Sequence, residues 1–296
     1  MSKKKNTNRK WLTSSLLPME ASGIQELPDG RLLVINDEKK GALTLLTLRG
    51  KTIASATVLE EKKALDDLEG VTLGPNGRIY VMTGSASLMR FAIGADDRLV
   101  DWEGARGLRR RLANYLNTKR GINTSKGKIN VEGLAWDYQR DALLIGLRKP
   151  MDGNRALIVV LKNPEKILCD KNKKPNFSLL IRLDLHKNAI RDITNNPRAG
   201  QSQYLIMAGP GGGKAFQLWQ MADTGSSRPV VRKFTETGDT NIDHAEGITA
   251  LVHQGDHKWM LVRDLSSTVK KEVDNKKINK KTAKKVKLDG KYLLIN

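Results

Sequence analysis

The chain has 296 residues, 39% of them hydrophobic and 28% charged, and its 52 Lys and Arg outnumber 32 Asp and Glu for a net charge of +20. That apolar fraction excludes a wholly disordered chain and suffices for one large packed domain. The charge favours anionic partners and is silent on fold. Cys169 is the single cysteine, which excludes an intrachain disulfide and a cysteine-based zinc site and suits a reducing compartment.

Residues 1–17 form a basic segment whose apolar run is broken by Thr13, Ser14 and Ser15, a poor secretory signal. No stretch approaches the roughly 20 apolar residues of a membrane span. The expectation is a monomeric cytoplasmic protein with one domain over 18–296.

From residue 22 onward one pattern recurs: a short apolar strand opening on x-Gly, a turn, a second strand, a turn and a third. Its copies open at Ser22-Gly23, Glu69-Gly70, Glu132-Gly133, a degenerate Arg191-Asp192 and Glu246-Gly247. Their spacing of roughly 50–60 residues suits a four-stranded propeller blade with insertions. Asp29-Gly30 and Asn76-Gly77 sit between β-rich runs, where such pairs mark hairpins because they tolerate positive φ. KTIASATVLE, FSLLIRLDL and PVVRKFTET read as fourth strands. WLTSSLLP is a candidate closing strand, and YLLIN at the C-terminus leaves a sixth blade open. Leu108, Leu112, Tyr115 and Leu116 fall at helical spacing among arginines, so 105–120 reads as an amphipathic helix inserted after the third strand of the second repeat. The Lys-rich run 270–287 lacks apolar periodicity and reads as a loop. The pattern predicts an all-β protein, a β-propeller of about five blades, since radial closure protects sheet edges.

The steps DLEGVT at 67–72, NVEGLAWD at 130–137, IGLRKP at 145–150, IRDI at 190–193 and AEGI at 245–248 resemble the domain of unknown function 3616 family of bacterial proteins. That family is in turn similar to the esterase-like phytase propellers. The resemblance spans about residues 18–265 and implies a propeller. It implies no activity by itself; a phosphoesterase role would come only through the phytase-like relatives.

Blade geometry predicts where chemistry sits. The start of the first strand and the end of the antiparallel second strand share one face. Glu69, Glu132, Glu246, Ser22 and Arg191 should therefore converge with Asp37, Arg148, Arg263 and Asp264 at one channel mouth. Three carboxylates near one axis need a counter-charge. Arg191 supplies part of it, and Ca²⁺ or Mg²⁺ on Glu69, Glu132 and Glu246 would supply the rest with oxygen ligands. Arg148, Arg191 and Arg263, with Asp37 and Asp264, would then line a site for a phosphate or carboxylate. Two residues upstream, Asp67, Asn130 and His244 should point the same way, making His244 the candidate general base beside Glu132 and Glu246. The competing expectation is structural: the glutamates tie blades together through backbone N–H groups, and the glycines permit close packing.

GPGGGK at 209–214 imitates a phosphate loop, but Ala208 and Ala215 break the pattern, and it reads as a hairpin turn. Two functions emerge: a propeller that binds a small phosphorylated or carboxylated ligand at the Glu/Arg-lined mouth with a divalent cation and hydrolyses a phosphoester; or a non-catalytic scaffold engaging nucleic acid or another polyanion through the basic helix and tail.

Overall fold

The computed structural model describes residues 12–17, 20–37, 43–59, 66–105, 107–124, 129–195, 203–211, 215–222, 229–233, 242–253, 256–263 and 290–295. Within them the five sequence repeats build five antiparallel sheets of four strands, the last completed by a strand from before the first repeat. After β1 (Leu12–Ser14), blade one contains β2 (Ala21–Glu26), β3 (Leu32–Asn36), β4 (Leu43–Arg49) and β5 (Thr52–Val58). Blade two contains β6 (Leu68–Leu73), β7 (Ile79–Thr83), β8 (Leu88–Ile93) and β9 (Leu99–Ala105). Blade three contains β10 (Asn130–Asp137), β11 (Ala142–Asp152), β12 (Arg155–Leu161) and β13 (Phe177–Leu183). Blade four contains β14 (Asn188–Asn195), β15 (Gln203–Pro210), β16 (Gln217–Ala222) and β17 (Val230–Lys233). Blade five contains β18 (Ala245–His253), β19 (Asp256–Arg263) and β20 (Gly290–Ile295). Its fourth strand is β1, paired antiparallel with β20 from Leu12↔Tyr292 to Ser14↔Gly290. Leu12–Ser14 thus closes the ring, the place anticipated for WLTSSLLP.

The first strands touch in cyclic order, β2 to β6, β10, β14, β18 and back to β2, which makes the assembly a propeller. Strand periodicity explains the packing between blades. Along β11, Leu143, Ile145 and Leu147 face blade two, in a cluster with Tyr80 and Trp136, while Leu144 faces blade four beside Ile190 and Ile206. Alternate side chains leave opposite faces of a strand, so a blade buried on both faces reads as a continuous apolar run. One such cluster fills each of the five junctions.

The turns carry the predicted chemistry. Gly30, Asn76 and Gly77 all have positive φ. GPGGGK lies in the β15–β16 hairpin connection, with residues 212–214 outside the described set.

The glycine after each repeat marker has a packing reason. A Cβ on Gly133 would lie 2.8 Å from Ile193 Cγ1, and one on Gly247 would lie 2.8 Å from Gly23 Cα. Inner strands therefore approach more closely than any side chain allows. Gly133→Ala is expected to destabilise the protein by about 1–3 kcal/mol through overpacking. Urea unfolding measures this, and an unchanged midpoint would show that the blades can separate freely there.

The inserted helix forms as α1 (Leu108–Asn114), extended by a π-helical stretch at Tyr115–Lys119. It follows β9, the fourth strand of blade two, and not the third, because LVDWEGA pairs with β8 before the helix begins. Leu108, Leu112 and Leu116 are buried between blades two and three. A second helix, α2 (Pro164–Cys169), joins β12 to β13 and was not anticipated. The run 270–287 and Asp264 lie outside the described residues. No helix of the described residues is long and apolar enough to cross a membrane.

Candidate functional site at the channel mouth

The repeat marker is a β-bulge in every blade. On β10, Val131 pairs with Leu147 and Gly133 with Gly146, so Glu132 is the extra residue. The same register shift leaves out Ser22, Glu69, Arg191 and Glu246. A bulge bends its strand and re-aims one side chain, and here it does so at equivalent positions around the axis. The x-Gly step is thus one local device: x is turned out of the ladder and Gly lets the neighbouring backbone come close.

In blades three to five the re-aimed side chains meet. Arg191 Nη1 donates to Glu132 Oε2 at 3.3 Å and to Glu246 Oε2 at 3.2 Å. Glu132 Oε1 also accepts from Arg148 Nη1 at 2.8 Å and from Asn130 Nδ2 at 3.0 Å. Side-chain exposure separates their roles: Arg191 is 8% exposed and Glu132 3%, whereas Arg148 is 36% exposed and can reach a ligand. Burial pulls the Arg148 guanidinium down, but Glu132 and the other carboxylates outweigh it and hold it above its ordinary value. The guanidinium of Arg191 lies over the Phe216 ring at 5.6 Å, and His244 packs tilted on the same ring, with centroids 5.7 Å apart. A Cβ on Gly209 would meet both Phe216 and Arg191. Phe216 was missed from sequence because it lies beyond a turn that reads only as a hairpin.

Blades one and two hold the second group. Asp37, Asp67 and Glu69 present carboxylate oxygens all within 4.8 Å of one another. Burial, then Glu132, Asp37, Asp67 and Glu246, push the Glu69 carboxyl up to about 10. Burial also raises Asp67, against the Ser85 N–H that it accepts and the charge of Arg109 on α1. Among the described residues the acids at metal-holding distance are therefore Asp37, Asp67 and Glu69, not Glu69 with Glu132 and Glu246. The last two are drawn to Arg191 instead. Asp67 and His244 also differ from the expected strand geometry, for both precede their strands with φ of 63° and 62°. Arg263 ends β19, where burial lowers its guanidinium against the opposing charge of Asp243.

Glu132 and Glu246 tie blades together through Arg191, and other side chains bond the backbone of the neighbouring blade. Ser22 Oγ donates to the Leu68 carbonyl. Trp136 N–H donates to Thr72 Oγ1 at 3.1 Å, and Ile248 N–H donates to Asp192 Oδ2 at 2.8 Å. Asp192 occupies the blade-four glycine position and is buried. Burial raises its carboxyl well above the usual range. The degenerate repeat start is thus the place where a hydrogen bond replaces close contact.

No protein-family model matches the chain, and no curated protein matches it. Among solved structures it is similar to a Trichoderma reesei carbohydrate-active enzyme of family AA12, with 10% identity, a TM-score of 0.49 and coverage of 97% of this chain and 96% of that one. It is similar to Myxococcus xanthus glutaminyl cyclase, with 11% identity, a TM-score of 0.46 and coverage of 97% and 94%. It is also similar to virginiamycin B lyase from Staphylococcus aureus, with 11% identity, a TM-score of 0.40 and coverage of 95% and 68%. The chain spans only 27% of an extracellular domain from B. thetaiotaomicron that it also resembles.

Proposed function

We propose that the channel mouth binds a hard divalent cation, Ca²⁺ or Mg²⁺, at Asp37, Asp67 and Glu69, and a small phosphorylated or carboxylated ligand beside it. One observation carries this reading: the carboxylate oxygens of Asp37, Asp67 and Glu69 lie within 4.8 Å of one another, beside the mouth where Glu132 holds Arg148. Their donors are all oxygen, the set that suits these ions. A cation there would offset their repulsion and polarise a ligand oxygen. Arg148 would contact the ligand's anionic end with charge-assisted hydrogen bonds. Hydrolysis of a phosphoester, the activity that the resemblance to phytase-like propellers suggests, would give His244 the role of base.

Thermal denaturation with and without EDTA tests the reading. Saturating Ca²⁺ or Mg²⁺, at about 100 times Kd, is expected to stabilise the protein by about 2.7 kcal/mol. Asp67→Asn should abolish that response. Phosphate release from a phosphomonoester should then depend on the cation and be lost in His244→Ala. No thermal shift with either cation would overturn the site, and a shift without turnover would reduce the proposal to binding.

A further inference from the structure

A cavity that shares no lining residue with the mouth lies between the outer edge of blade two and the two helices. It has a volume of about 880 Å³, within the roughly 300–1,000 Å³ of small-molecule sites. Half-buried Met89 and Ala105 give it apolar surface over the buried Leu88, Leu108 and Leu168, and half-buried Trp102 adds an aromatic face. Trp102 is held in place by stacking on Phe91, with ring centroids 5.3 Å apart and planes 7° from parallel.

The polar part of the lining is cationic. Arg111, Lys171 and Lys173 line it, and the acidic lining residue among those described is Glu103. Glu103 is already engaged by Arg90, whose side chain is 8% exposed and which also pairs with Glu165 on α2. Lys173 has Asp170 at 4.0 Å, an exposed pair worth little. The wall therefore offers apolar surface beside positive charge that its own carboxylate does not offset.

We propose that this cavity binds a free amphipathic anion: an acyl chain against Met89, Ala105 and Trp102, with its carboxylate toward Arg111 and Lys171. The hydrophobic term supplies affinity and the cations orient the head group.

Cys169 lines the same cavity, is exposed and is the chain's one cysteine, so its alkylation reads occupancy at a single position. The experiment follows iodoacetamide labelling of the full chain by mass, with decanoate or decyltrimethylammonium present below micellar concentrations. Decanoate should slow labelling and change the tryptophan fluorescence of the parent chain but not of Trp102→Phe, and the cationic amphiphile should do neither at equal concentration. Arg111→Glu and Lys171→Glu should each raise the half-protecting decanoate concentration about tenfold, as loss of one charge-assisted contact implies. Far-UV circular dichroism should be unchanged. Arg232→Glu, an exposed site on blade four, and Glu69→Gln at the mouth should leave protection intact. Equal protection by both amphiphiles would overturn the charge argument. No protection by decanoate, or protection unaltered in both charge-reversed variants, would overturn the site.

Discussion

Arg191→Ala is expected to destabilise the fold by about 3–5 kcal/mol, because it leaves buried carboxylates without their counter-charge. Arg191 bridges Glu132 and Glu246 from blade four to blades three and five. Glu132 keeps Arg148, but that side chain is far more exposed and cannot replace a buried partner. The loss is electrostatic and not one of packing, so it has a specific remedy. Arg191→Leu combined with Glu132→Gln and Glu246→Gln should recover most of the stability, since neutral amides carry no such penalty. Urea denaturation of the single and triple variants decides the matter. A single variant within 1 kcal/mol of the parent chain would mean that solvent reaches these acids and the bridge contributes little.

The second large effect has the opposite sign. Glu69→Gln should stabilise the cation-free protein, increasingly so as pH rises. Its carboxyl titrates near 10 in the folded chain against 4.5 in the unfolded one. Between those values the native state holds a proton that the unfolded state has released, so stability falls as pH climbs through the window. Thermal melts of the parent chain in EDTA should decline from pH 6 to pH 9, and those of the variant should decline less. Ca²⁺ should narrow the difference at pH 9 by taking the proton's place, with affinity rising as pH rises. Parallel melting profiles for the two proteins would sink the assignment. A residue whose removal stabilises the apo-protein yet removes its cation response is the pattern of a site kept for function.

The five-fold repeat and its strand order were legible because hairpin residues and apolar runs act locally. Asp29-Gly30 and Asn76-Gly77 constrain their own backbone, and LRKP or LKN needs only its neighbours to be a strand. The convergence of Glu132, Arg148, Arg191 and Glu246 was also legible, since antiparallel pairing alone puts strand starts beside strand ends. What was not legible depends on register between distant segments. That Ser22, Glu69, Glu132, Arg191 and Glu246 are bulged follows from pairing offsets that no single strand reveals. The division of the acids into an Arg-matched set and an Asp37–Asp67–Glu69 set turns on side-chain reach across blades. Asp192 is the clearest case: at a repeat start it reads as a lost glycine, and in space it is an acceptor for the next blade.

The pairing of β1 with β20 has a consequence for the order of events during synthesis. Blade five takes its outermost strand from one end of the described chain and the other three from the far end. Blades one to four are each continuous in sequence and can assemble as they leave the ribosome. The ring is different, for its last seam needs contacts between residues near 12 and residues near 292. Until translation reaches that point, β2 and β14 both present unsealed apolar flanks. Closure is therefore a long-range event that follows the four continuous blades.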